Sequence, residues 1–180
     1  MKKSSKILLT TVLFTIILIS LFSYSTILNK TKKSQENLIN NFLDNLYTIE
    51  YLDDEKTENY LTSISKNIKP FLVSDYEVDP IIIEGTTVYP SMENQSSIKY
   101  SNYSINQISK EKLDDTKGTL YNLNVNFTMK NKNTGEETLS SNNSTSIYLV
   151  KENSQWKINN LIIDLALIEA INEDIVFNKV

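Results

Sequence analysis

The chain of 180 residues contains no cysteine, no histidine and no arginine. Without cysteine there is no disulfide framework, no thiolate nucleophile and no lipid-modified N-terminal Cys, so the fold must be held by its core. Without histidine, the side chain best suited to proton transfer near neutral pH is missing, and zinc would find only carboxylates. Without arginine, there is no planar donor fork for phosphates or base edges. The three glycines, Gly85, Gly118 and Gly135, are too few to build a phosphate-cradling loop. No cofactor is expected from such a composition.

What the chain does have is one long oily run. From Ile7 to Leu28 there are 22 uncharged residues, preceded by Lys2, Lys3 and Lys6 and followed by Lys30, Lys32 and Lys33. As a helix the run reaches about 33 Å, enough for a hydrocarbon core of roughly 30 Å. Two readings compete: a retained signal anchor over 7–28, or a signal peptide cut near residue 25 at the "SYS" of Ser23–Ser25. Retention is favoured, because the run continues through Ile27 and Leu28 and no Ala-x-Ala is present; the two alanines are Ala166 and Ala170. Residues 1–6 then form a short cytoplasmic tail and 29–33 a basic linker. Lysines on the two flanks nearly balance, but a six-residue tail before a long domain points to tail inside and domain outside. Either reading puts residues 34–180 outside the cytoplasm, tethered to the membrane or secreted after cleavage.

Charge narrows the partners further. Beyond Ser34 there are 12 Lys against 22 Asp and Glu, a net charge of −10. Such a body repels nucleic acid, whose affinity comes from neutralised phosphates. The expected partners are the membrane itself and other envelope proteins or a second copy of the chain.

Periodicity gives the architecture. After Ser34, a good N-cap, Leu38, Ile39, Phe42, Leu43, Leu46 and Tyr47 make one helical stripe that is expected to run to about Tyr51. Tyr60, Leu61, Ile64 and Ile68 make a second stripe, capped by Asp54 or Thr57 and ended by Pro70. In residues 71–91 the signals are mixed, with "IIIE" and "TTVY" reading as short extended pieces. From Ser97 the period changes to two. In "YNLNVNFTMK", Tyr121, Leu123, Val125, Phe127 and Met129 alternate with Asn122, Asn124, Asn126, Thr128 and Lys130. That is a strand with one buried and one wet face. "SIKYSNYSINQISKEKL", "STSIYLVK" and "WKINNLIID" complete a four-strand antiparallel meander, with turns at "DDTKG", "NKNTGEE" and "ENSQ". The fold class is α+β: a membrane helix, then two amphipathic helices covering the apolar face of a curved sheet. In the tail, Ile163, Leu167, Ile171 and Ile175 favour a short closing helix, with a strand extension as the alternative.

Helices first, then a meander closing in "KENSQWKINNLII", resembles the cystatin-like cone of the nuclear-transport-factor-two superfamily, over residues 34–163. With one N-terminal span, the arrangement resembles the bitopic assembly proteins of type IV secretion and conjugation. That resemblance implies an extracytoplasmic scaffold acting through protein contacts, with catalytic members of the superfamily placing polar groups inside the cone.

The side chains on offer favour binding over catalysis. Asp53 with Asp54, Asp114 with Asp115, and Glu173 with Asp174 are adjacent acids without the spacing of a calcium loop, and turns and helix caps explain them. Tyr89, Tyr100, Tyr103, Tyr121 and Tyr148 are the candidates to line a pocket or an interface. Trp156 is expected to anchor the last strand in the core. The leading expectation is a non-catalytic, membrane-tethered interaction module. A small-ligand binder using the cone cavity is the alternative, and a carboxylate-based enzyme a third that would need a buried acid facing a cavity.

Overall fold

The computed structural model describes residues 3–113 and 115–163, and the chain divides into two units, Met1–Asn37 and Leu38–Val180. The expected closing helix of the tail, Asp114, Glu173 and Asp174 lie outside the described residues.

Helix α1 (Lys3–Tyr47) is continuous where a linker over 29–33 and a fresh cap at Ser34 are expected. The stretch holds neither Gly nor Pro, and its Lys, Gln and Glu are strong helix formers, so nothing stops the helix there. Lys32 and Glu36 add an i,i+4 ion pair at 3.7 Å. Within the first unit Phe14, Leu18, Leu21, Phe22, Ile27 and Leu28 are all exposed, on every side of the helix. Two of its hydroxyls bond back to the helix: Ser20 Oγ donates to Ile16 O at 2.8 Å and Thr26 Oγ1 to Phe22 O at 2.9 Å. By length and composition this one helix could cross a membrane.

The second unit is built around the last turns of α1. Ile39, Phe42, Leu43, Leu46 and Tyr47 are fully buried, at the i, i+3, i+4, i+7, i+8 spacing of one helix face. Each such side chain stabilises the fold by about 1.5–3 kcal/mol through the area it removes from water. The helix stops at Tyr47 instead of continuing to Tyr51, because the next residues are drawn to the sheet. Ile49 and Ile98 exchange backbone bonds of 2.8 and 3.0 Å, and both are buried.

Helix α2 (Asp54–Ile68) begins at Asp53, whose carboxylate accepts from Lys56 N at 3.1 Å. It buries Ile64 and Ile68 as the stripe predicts, and ends in a 3₁₀ turn, Lys69–Phe71, containing Pro70. Residues 80–93 correct the expectation of extended pieces. They form α3 (Pro80–Ile83), a π turn (Glu84–Val88) and α4 (Tyr89–Glu93) in immediate succession. Asp79 caps this segment by accepting from Ile81 N at 3.0 Å, and Pro80 is already set for a first helical turn. Pro90 has no N–H to donate, and the turn before it widens so that Tyr89 N bonds Glu84 O. The cap and the prolines outweigh the strand preference of Ile, Thr and Val.

The sheet is a four-strand antiparallel meander in the order β1-β2-β3-β4: β1 (Ser96–Leu113), β2 (Thr116–Asn131), β3 (Glu137–Glu152) and β4 (Gln155–Ile163). Strand β2 alternates as its sequence demands, with Tyr121, Leu123, Val125, Phe127 and Met129 buried against the helices. Tyr47 stacks on Phe127 with centroids 5.3 Å apart, and Phe42 meets Phe71 edge-on at 6.3 Å. Breaks in register leave Ser101, Asn106 and Asn159 as extra residues, and β3 gains one between Asn142 and Thr145, where two of its residues face Asn124 alone. Bulges of this kind bend a sheet, and these give it a concave face for the helices. The outer face carries a ladder of amides, with Asn126 Nδ2 donating to Asn102 Oδ1 at 2.7 Å and Ser146 Oγ to Asn122 Oδ1 at 2.8 Å.

Gly118 is not in the first hairpin's turn, where the sequence suggests it. Leu113 pairs with Thr116, Asp115 takes φ +66°, and Gly118 sits within β2. A Cβ there would lie 2.5 Å from both Leu149 O and the Tyr148 ring. Tyr148 crosses the outer face so that its hydroxyl donates to Thr116 O at 2.6 Å and accepts from Leu113 N at 3.3 Å. Gly118→Ala is therefore expected to destabilise the domain by about 1–3 kcal/mol through overpacking against backbone, and Tyr148→Phe by about 1 kcal/mol for the lost hydroxyl. Thermal unfolding of the full chain in detergent checks both; a Gly118→Ala protein as stable as the parent would refute the close approach.

Candidate functional site

The concave face is where the chain brings polar groups into an apolar setting. Ser140 lies opposite Phe127 and Asn142 opposite Val125, while Thr145 lies between Leu123 and Ile163. All three are buried, beside the fully buried Tyr47. Asn142 Oδ1 accepts from Ser144 N at 2.9 Å and from Thr145 Oγ1 at 3.4 Å. Among the described residues, Tyr47 Oη, Ser140 Oγ and Asn142 Nδ2 have no hydrogen bond of ordinary geometry, although the Tyr47 hydroxyl faces Thr145. Burial pushes the Tyr47 phenol well above its usual range, so it stays protonated. Buried polar atoms without partners are uncommon in folded proteins; here two lie on β3 and the third, the Tyr47 hydroxyl, lies on α1.

The five tyrosines do not converge there. Tyr100, Tyr103 and Tyr121 point to the concave side, opposite Phe127, Val125 and Ile147 respectively. Tyr121 is core, and Tyr100 is 8% exposed, with its hydroxyl donating to Asn40 Oδ1 at 2.9 Å. Burial raises the Tyr100 phenol as well. Tyr148 belongs to a separate small cluster with Val73 and Val150. Tyr89, on α4, is 52% exposed and is the one of the five open to a partner. Tyr47 and Asn142 were not singled out from sequence. Tyr47 read as one more member of the helical stripe, and Asn142 stands in "SSNNSTS", a polar run in the middle of a strand.

The acids point elsewhere. Among the described residues no Asp or Glu is buried, and no three carboxylates converge. The two acids with shifted titration are both lowered. Lys56 holds Asp53 down, first through its side-chain hydrogen bond; Ser74 N and Oγ hold Glu152 down by donating at 3.0 and 2.8 Å. These are structural contacts: a helix cap, and a clasp between β3 and the segment after the 3₁₀ turn.

No family model matches the chain, and no curated protein does. Among solved structures it is similar to one described as "Ntf2 like protein involved in plasmid conjugation", at 17% identity and a TM-score of 0.27. That match covers 66% of this chain and 42% of the other, so the chain spans less than half the length of that protein.

Two outcomes are expected. Tyr47→Phe removes a hydroxyl that has no good protein partner, so stability in equilibrium unfolding should hold or rise; a loss of more than about 1 kcal/mol would mean that the hydroxyl is paired. The Glu152–Ser74 clasp contributes stability above the ordinary carboxylate range, which is lost as pH falls through the lowered Glu152 value. Glu152→Gln should therefore be less stable than the parent at pH 7, with the gap closing in acid; a gap that is constant with pH would sink the assignment.

Proposed function

We propose that the chain is a non-catalytic interaction module of the bacterial cell envelope, tethered by α1, with its folded domain on the extracytoplasmic side. The observation that carries this reading is the exposed apolar helix of the first unit, which nothing in the described chain covers and which a bilayer would. The basic tail of Lys2, Lys3 and Lys6 favours the cytoplasm for the N-terminus, although the lysines on the far flank oppose it. The absence of His and Cys and the exposure of the acids favour binding over chemistry. Ile81 and Tyr89, 58% and 52% exposed on the helical segment after Asp79, offer an apolar contact surface to an envelope protein or a second copy.

A second reading has its own support. The unpartnered Tyr47, Ser140 and Asn142 groups favour a small-ligand binder using the concave side, with α1 again as tether.

Protease treatment of spheroplasts tests the topology: the domain should be digested without lysis, and a domain that is cut only after lysis would invert it. The mass of the mature chain separates anchor from cleaved signal, since loss of residues 1–25 would remove the tether. A photocrosslinker at Tyr89 should yield one discrete adduct in membranes. No adduct there, with the chain monomeric in detergent, would count against the interaction reading.

A further inference from the structure

The helices do not cover the whole concave face. Beyond Ile108, Thr119, Leu149 and Ile158 the same side of the sheet continues to the two hairpin ends, and the side chains change character. Lys110 and Lys112 follow Ile108 on β1, Lys117 precedes Thr119 on β2, Lys151 follows Leu149 on β3, and Trp156 precedes Ile158 on β4. The register sets Lys112 opposite Lys117, Lys110 opposite Thr119 and Lys151 opposite Trp156. A hollow of about 440 Å³ opens there, lined by Lys110, Glu111, Lys112, Lys117, Gly118, Thr119 and Trp156, so one carboxylate stands among three lysines. Trp156 is half-buried, not fully in the core as the sequence suggests, and Lys151 Nζ stands 5.3 Å from its ring centroid.

Four of the 12 lysines beyond Ser34 thus gather at one end of a domain whose net charge is −10. Opposed like charges such as Lys112 and Lys117 destabilise a strand pair. Local acids only partly offset them. Asp115 pairs with Lys112, while Glu111 accepts from Ser109 Oγ at 2.6 Å. Among the described residues no carboxylate lies within 4.0 Å of the ammonium of Lys110, Lys117 or Lys151. Charge complementarity therefore calls for an anion. The cations are compact ammonium groups that hold a phosphate dianion as point charges, without the fork that recognises carboxylates in pairs. The volume is that of a small-molecule site. The indole supplies an apolar plate whose negative face suits the slightly positive C–H edges of a sugar ring.

We propose that this end of the concave face binds a soluble phosphate-bearing sugar, its phosphate held by Lys110, Lys112 and Lys117 and its ring against Trp156. The site lies wholly within the second unit and stands whichever side of a membrane that unit occupies.

Trp156 is the single tryptophan, so its emission reports the site directly. The full chain in neutral detergent is titrated with glucose 6-phosphate, inorganic phosphate and glucose, and separately with phosphatidylglycerol vesicles. Glucose 6-phosphate should give a saturable change that weakens with salt, inorganic phosphate a weaker one and glucose none. The Lys112→Ala/Lys117→Ala double variant should bind at least about tenfold less tightly, and Lys66→Ala, on α2, as the parent does. If the double variant fails to fold by circular dichroism, Lys117→Gln alone serves. No saturation up to about 10 mM overturns the proposal, as does binding indifferent to the lysine changes. Equal responses to inorganic phosphate and the sugar phosphate overturn the role of the ring. A response to vesicles alone overturns the soluble ligand.

Discussion

The domain depends on one burial: the face of α1 bearing Ile39, Phe42, Leu43, Leu46 and Tyr47 seated in the concavity opposite Leu123, Val125, Phe127 and Ile147. A four-strand sheet on its own would leave its apolar face in water. With no disulfide and no metal cluster among the described residues, this contact is what pays the ordering entropy of the strands. Its geometry has secondary effects. A flat sheet cannot cradle a helix, so the bulges at Ser101, Asn106 and Asn159 belong to the same requirement. The helix covers only part of the face, which leaves the lysine-bearing end open.

How far the fold was legible can be judged from particular segments. The strand content, the meander order and the helical stripes follow from simple periodicity, because β2 keeps a strict alternation and the end of α1 keeps a strict 3.6-residue stripe. The bulges in β1 were written there too, though less plainly: its apolar residues Ile98, Tyr100, Tyr103, Ile105 and Ile108 advance by two, three, two and three. Each step of three is one extra residue. Residues 80–93 resisted the same reading because β-branched propensity and capping chemistry pointed in opposite directions, and propensity is the weaker force. Gly118 was assigned to a turn because glycine usually serves there; only the tertiary approach of Tyr148 and Leu149 gives it its place in a strand.

The polar groups were less legible than the fold. The tyrosines that drew attention by number are distributed over the core, the outer face and α4, since tyrosine suits strands for reasons unrelated to binding. The groups that lack partners, at Tyr47, Ser140 and Asn142, are individually ordinary, and their meaning comes from burial, which a sequence does not state. The lysine end was hidden for a related reason. A net charge is an average, and here it masks a local patch of opposite sign assembled from three different hairpin arms.

Strand β1 is one of the sheet's two edges; Ser91 Oγ, Ile49 and Thr48 Oγ1 bond its backbone over Ser96–Tyr100, and among the described residues no further backbone bridge forms along its free side. A straight eighteen-residue border would invite stacking into fibrils. The kinks at Ser101 and Asn106 break that border into short lengths, and the ammonium groups of Lys99, Lys110 and Lys112 add mutual repulsion. The features that curve the sheet around its helix thus also keep neighbouring molecules from zipping together, a safeguard that matters most for proteins crowded at a surface.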